Sequence, residues 1–181
     1  MRRGKTTKLS ALAGRGLLMG LAAALAVPAF AQSHRGVEAK LKDASGKAMG
    51  EISLIPGDNG LGGSIDVKGL TPGDHGMHIH AVGKCDGEAF AGAGGHLNPD
   101  MKQHGLDNAA GSHAGDLPNL KVGADGKAHQ YFVAHTTLGT ILDSDGAAFV
   151  VHAGPDDQKT DPSGNSGGRV LCGVFYPRMG A

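Results

Sequence analysis

The chain has 181 residues, with 17 Lys and Arg against 17 Asp and Glu, a formal net charge of zero, 32 glycines, two cysteines and few aromatic residues. That length fits one domain able to bury roughly 70% of the surface its unfolded chain exposes. The balance conceals an asymmetry: Arg2, Arg3, Lys5, Lys8 and Arg15 crowd the start, leaving 12 basic against 17 acidic residues in the remainder, which argues against nucleic acid and anionic membranes as partners.

In chain order, the basic cluster precedes an apolar stretch from Leu17 to Val27, then Pro28 and the small-residue site Ala29-Phe30-Ala31. The stretch falls short of the roughly 20 residues a membrane crossing needs. Residues 1–31 therefore read as an export signal cleaved after Ala31, with an uncleaved anchor as the alternative. The domain expected covers 32–181, exported and free of the membrane once the signal is gone.

Short alternating apolar runs follow: Val37, Ala39 and Leu41; Ile52 and Leu54; Ile65 and Val67; Met77 and Ile79; Phe132 and Ala134; the continuous run Ala147 to Val151; then Val170, Cys172, Val174 and Tyr176. Turn signals separate them, among them Ser45-Gly46, Pro56-Gly57, Pro72-Gly73, Asp125-Gly126 and Asp145-Gly146. No helical period persists after the leader. The pattern predicts an all-β, antiparallel Greek-key sandwich or barrel. Two polar stretches break the rhythm, a long Gly, His and Asp-rich loop from Cys85 to Leu120 and a shorter one from His152 to Gly168. Loops of that length in a compact domain are usually functional or disordered.

Both cysteines lie in the exported part, and oxidising compartments favour pairing, so one long-range disulfide is the default expectation and two buried thiols the alternative.

The chemistry-bearing residues are histidines. Six of ten fall between His75 and His113, and His152 ends the downstream apolar run. Residues two apart on a strand share a face, so His78 and His80 form a rigid pair while Met77 and Ile79 turn into the core. With His152 brought alongside, this nitrogen-rich, thiolate-free set suits copper. The loop histidines and Asp116 offer three nitrogens and one oxygen, a set that suits structural zinc. His96, lying between the two sets, is the candidate to serve both through its two ring nitrogens.

Taken together, Gly76-Met77-His78-Ile79-His80, Gly95-His96-Leu97-Asn98-Pro99, His104-Gly105, His113-Ala114-Gly115-Asp116-Leu117, Val151-His152-Ala153-Gly154 and Gly168-Arg169-Val170-Leu171-Cys172-Gly173 resemble the copper/zinc superoxide dismutases over nearly all of the exported part. The resemblance implies copper on His78, His80, His96 and His152, and zinc on His96, His104, His113 and Asp116, with His96 bridging. It further implies a Cys85–Cys172 disulfide, Asp156 as an acceptor tying His78 to His104, and Arg169 over the copper as the docking cation for the superoxide anion. His96 and Arg169 would carry the reaction. The export signal, Leu117-Pro118 and the short second loop look more like the bacterial exported branch, which favours the periplasm and admits a homodimer.

Plainer readings stand beside these. Asp116 would only cap a turn; Arg169 would pair with Asp156, Asp157 or Asp161 at the surface; Asp157 would replace Asp156 after a one-residue loop shift. His75 reads as a turn residue, and His34, His129 and His135 have no visible partners. Lys159 is a candidate steering charge. From another class, a periplasmic copper-binding or buffering protein would use the same ligands without turnover, its discriminating feature being a missing ligand or a missing Arg169. A purely structural sandwich would need the ligand set to be coincidence.

Overall fold

The computed structural model describes Met1 and residues 36–178. The expected export signal and His34 lie outside these residues. Among the described residues ten strands follow in order: β1 (Val37–Lys42), β2 (Ala48–Gly57), β3 (Gly60–Lys68), β4 (Gly73–His75), β5 (Met77–His80), β6 (Leu120–Val122), β7 (Lys127–Ala134), β8 (Ala148–His152), β9 (Arg169–Val174) and β10 (Tyr176–Pro177). A 3-10 turn spans Glu88–Ala93, and one short helix, α1 (Leu138–Ile141), follows β7. Among the described residues no helix is long and apolar enough to cross a membrane.

The strands form one curled antiparallel sheet in the order β5-β8-β9-β1-β2-β3-β7, with β10 against β1 and a separate β4-β6 pair. The meander β1-β2-β3 is local, whereas β5-β8 and β3-β7 join strands distant in sequence, the crossovers of a Greek key. Alternation decides which side chains go inside. Ala39, Leu41, Ile52, Leu54, Ile65, Met77, Ile79, Phe149 and Val151 fill the concave side and are almost wholly buried. Each of the larger of these side chains contributes about 1.5–3 kcal/mol by leaving water. The Phe149 and Phe175 rings meet edge to face at 6.3 Å.

The alternating run in β9 and β10 divides between the two faces. Cys172, Val174 and Tyr176 share the outer face, where Val174 and Tyr176 are exposed, while Leu171 lies inside and Val170, at the irregularity between β8 and β9, packs against the main core. The outer face is apolar at Cys172 because the 3-10 turn folds over it: Phe90 and Ala93 close a second small core with Cys172, Ala148 and Val150. This cover also explains why β8 is buried along its whole length and reads as a continuous apolar run. Helix α1, too short to show a period, is announced only by its cap, where the Thr137 hydroxyl accepts from the Thr140 amide at 3.2 Å.

Cys85 and Cys172 are joined in a disulfide, 87 residues apart in sequence, which fastens the long loop to β9. A closed loop of that size stabilises by about 4 kcal/mol in the chain-entropy view. The Cys85→Ser/Cys172→Ser double variant is expected to lose about that much in urea unfolding of the metal-free protein. A loss below about 1 kcal/mol would contradict the assigned cross-link.

Candidate metal centre

Strand β5 turns Met77 and Ile79 inward and projects His78 and His80 from its other face, as alternation requires. Its neighbour β8 runs antiparallel with His78 opposite Val150, and the His152 amide donates to the Gly76 carbonyl at 2.8 Å. His152 shares parity with Ala148 and Val150, so it emerges on the same outer face as the β5 pair. The long loop then returns to the free edge of β5. Ala81 donates to Gly95 O, Leu97 to Ile79 O, Ile79 to Gly115 O and Gly115 to Leu97 O, all at 2.8–2.9 Å. These bonds set His96 beside His80 and Asp116 beside His78. Only glycine fits at 115, where an added Cβ would lie 2.1 Å from the Ile79 carbonyl oxygen.

Two clusters result. In the first, the donor atoms of His78, His80, His96 and His152 all lie within 4.8 Å of one another. One nitrogen of each ring, His78 Nδ1, His80 Nε2, His96 Nε2 and His152 Nε2, is buried with no hydrogen-bond partner. The opposite nitrogens are engaged: His78 Nε2 donates to Asp156 Oδ2 at 2.6 Å, His80 Nδ1 to Gly94 O at 2.9 Å and His152 Nδ1 to Gly167 O at 3.1 Å. Each of those bonds fixes the tautomer and leaves the unpartnered nitrogen as a lone pair. A buried polar atom without a partner is costly unless a cation takes it. Four imidazole lone pairs around one point suit copper.

In the second cluster, Asp116 Oδ1 lies 2.9 Å from His96 Nδ1, 3.0 Å from His104 Nδ1 and 3.2 Å from His113 Nδ1. His113 Nδ1 and His96 Nδ1 are 3.4 Å apart. Zinc with ligands at 2.0–2.1 Å has tetrahedral edges of roughly 3.3 Å, so this N3O set fits it. The other Asp116 oxygen accepts from the amides of Gly105 and His113. His78 is also close enough to join His96, His104 and Asp116, but its Nε2 belongs to Asp156, so His113 completes the set.

Electrostatics treat the two clusters differently. Burial lowers His78 to about 3, His80 to about 2 and His152 to about 4, and it lowers His96 as well. These rings are neutral at physiological pH, as ligands must be. Burial also opposes charge on His104, yet hydrogen bonds to Asp116 and Asp156 outweigh it and raise His104 to about 9. Burial pushes Asp116 and Asp156 upward, but their bonds to His104 hold both far below the usual carboxylate range.

Residues 48–175 match the family described as copper/zinc superoxide dismutase. The chain is 46% identical over 148 residues to the superoxide dismutase-like protein YojM of Bacillus subtilis, covering 77% of this chain and 76% of that one. It is 40% identical over 145 residues to a copper/zinc superoxide dismutase of Caulobacter vibrioides, 76% of this chain and 83% of that one. The solved copper/zinc superoxide dismutase of Brucella abortus aligns with a TM-score of 0.66 at 32% identity, over 76% of this chain and 97% of the other. The chain belongs to the copper/zinc superoxide dismutase family.

Hydrogen bonds distinguish residues that spacing leaves equivalent. Asp156, not Asp157, bridges the clusters, with Oδ2 on His78 and Oδ1 on His104 Nε2 at 3.0 Å. Asp157 instead caps its own loop through the amides of Lys159 and Thr160. Arg169 sits across β8-β9 from His152, and its guanidinium donates to the carbonyls of Phe90 at 2.7 Å and Gly94 at 2.6 Å. The proposed pairing of Arg169 with Asp156, Asp157 or Asp161 is absent among the described ion pairs; backbone dipoles hold the side chain, so its charge stays available.

His75 corrects the turn reading: it is 3% exposed, and its Nδ1 donates to the His152 carbonyl at 2.7 Å. His129 pairs with Asp66 on the outer surface, and His135 is exposed, neither near the clusters. Lys159 is exposed on the second loop. Sequence reasoning missed Asn119, which clamps the Asp156 backbone with its side-chain amide and oxygen, both at 2.8 Å. Nothing local to Asn119 signals this contact across 37 positions.

Gly164, at φ +63°, leaves room for the bridge: an added Cβ would lie 1.7 Å from Asp156 Oδ1 and 2.8 Å from His104 Nε2. Gly164→Ala is expected to displace the Asp156 carboxylate and weaken zinc binding about 10–100-fold, the usual effect of losing a partner behind a ligand. Chelator competition checks this, and unchanged zinc affinity would refute it.

Proposed function

We propose that this chain dismutes superoxide, with copper held by His78, His80, His96 and His152, zinc by His96, His104, His113 and Asp116, and Arg169 as the docking cation. The observation that carries the reading is the convergence of four unpartnered imidazole nitrogens beside an arginine that no carboxylate among the described residues neutralises. In this reading residues 32–181 act as the exported domain, in the periplasm, after loss of the 1–31 signal.

The reaction takes two superoxide anions and two protons to one dioxygen and one hydrogen peroxide. Bound copper, alternating between Cu(II) and Cu(I), would accept an electron from the first anion and return it to the second, while zinc, without redox chemistry, would order the loop. The chain's own residues set the rest. Arg169 attracts and orients the small anion with a permanent charge and forked donors. His96 Nε2 takes up a proton when the first electron arrives and gives it toward the peroxide formed in the second half. Its ring stays in place meanwhile because Nδ1 is directed at the Asp116 side. Asp156 locks the orientation of His78 and His104 together, so the two metal-binding sets hold one geometry through the cycle.

A copper-buffering role without turnover would be favoured by a missing ligand or a missing docking cation. Both are present, so turnover is the better reading.

Pulse radiolysis on the chain with copper and zinc content determined tests the proposal: superoxide decay is expected to be fast, to vanish on copper removal and to return on its restoration. His152→Ala is expected to lose copper and activity and to keep zinc; full activity would overturn the assignment. Arg169→Ala is expected to keep both metals but to slow decay about 10–100-fold and flatten its dependence on ionic strength, as loss of local steering requires. An unchanged salt dependence would remove Arg169 from that role.

A further inference from the structure

The support under Arg169 is unusual in its backbone. Ala89 (φ 49°, ψ 36°) and Phe90 (φ 58°, ψ 34°) are consecutive non-glycine residues in the left-handed region. That conformation is unfavourable for residues with a Cβ and persists only where surrounding structure imposes it. Here the imposing element is the Phe90 ring. It is 7% exposed and closes the small outer core with Ala93, Ala148, Val150 and Cys172, against which Cys85 also packs. Amide bonds of Phe90 to Gly87 O and of Gly92 to Asp86 O fold the turn tightly around it. With the ring pinned inward, the Phe90 carbonyl is aimed at Arg169 Nη1, 2.7 Å away. The other anchor, Gly94 O, is shared with His80 Nδ1. Of the two carbonyls, only that of Phe90 is free to place the guanidinium independently of a metal-binding histidine.

We propose that Phe90 is a positioning residue for the anion-docking guanidinium of Arg169, its buried ring holding the left-handed Ala89–Phe90 turn so that the Phe90 carbonyl fixes Nη1. The inference rests on the superoxide reading only for the identity of the natural anion. A shift of the guanidinium by about 1 Å is enough to cost one to two orders of magnitude in a positioned reaction. Holding an arginine by carbonyl dipoles also fixes it without spending its charge, which a carboxylate partner would do.

The test uses the full chain loaded with copper and zinc, with azide as the probe anion, its binding to the copper(II) form followed by visible absorption and electron paramagnetic resonance. Phe90→Ala is expected to weaken azide binding about tenfold and to slow superoxide decay by a similar factor at unchanged metal content. Phe90→Leu, which keeps an apolar anchor, should stay within about twofold of the parent chain. In an Arg169→Ala background, Phe90→Ala should add no further loss, because the two act as one unit. Should Phe90→Ala fail to hold its metals, Ala89→Val serves instead: residue 89 is exposed, so no core contact is lost, while a β-branched residue at that φ forces the turn to move. It should weaken azide binding in the same direction. Azide affinity unchanged in both variants, or a full Phe90→Ala effect without Arg169, would overturn the proposal. The azide arm needs no turnover, so a chain inactive toward superoxide that still shows the coupling would sink the activity reading and uphold the role of Phe90.

Discussion

Three backbone hydrogen bonds that tie the long loop to the free edge of β5 and to Ala81 just beyond it carry the consequences furthest. A strand edge left open offers unpaired donors and acceptors to any passing chain. In this protein the edge of Met77–His80 is occupied by the protein's own loop, residues 95–97 and 115–116. That docking converts a long polar excursion, which has too little apolar surface to order itself, into a rigid wall. It also fixes by backbone geometry where His96 and Asp116 stand relative to His78 and His80. Both clusters inherit the precision of a strand from a loop, and binding residues on loops are useful only when a scaffold positions them so.

The second constraint is electrical. Asp116 and Asp156 are buried carboxylates, and His104 lies between them and hydrogen-bonds to both. Buried charges persist when each lone pair finds a partner, and breaking such a set leaves an uncompensated ion. Asp116 Oδ1 is accordingly ringed by three imidazoles, while its Oδ2 is satisfied by two amides. The histidines of the first cluster are treated in the opposite way: burial suppresses their protonation and one nitrogen of each is left without a protein partner. One region is arranged around negative charge and the other around neutral lone pairs, and His96 belongs to both. Arg169 is handled in a third manner, by neutral carbonyls, which preserves a full positive charge at the mouth of the first cluster.

Much of this was legible in the sequence, and the reasons are physical. Period-two alternation reports faithfully on which side chains share a face, so the pairs Val37/Ala39, Ile52/Leu54, Ile65/Val67 and Met77/Ile79 were readable as inward rows. Alternation does not say which face is the inside: Cys172, Val174 and Tyr176 lie on the outer face, where the 3-10 turn that buries Cys172 comes from far away in the chain, and Val170 leaves their row at the irregularity between β8 and β9. The turn reading of His75 fails for a similar reason. Its turn-like neighbours Asp74 and Gly76 are local signals, whereas the carbonyl of His152 that it supports is 77 positions away.

By itself the sequence determined the strand periods, the two interrupting loops, the inventory of six imidazoles and one carboxylate, and the presence of one arginine and two cysteines to serve them. These are properties of residue type and short spacing, and they survive without knowing what lies next to what. The tertiary structure alone decided which nitrogen of each ring is free, that Asp156 rather than Asp157 joins the clusters, that Asn119 clamps it, and that Phe90 and Gly94 hold Arg169 in place of a carboxylate. Every one of those outcomes depends on a contact between segments separated by 14 to 79 positions. Chain closure brings such segments together through the sheet, and no local pattern records the result.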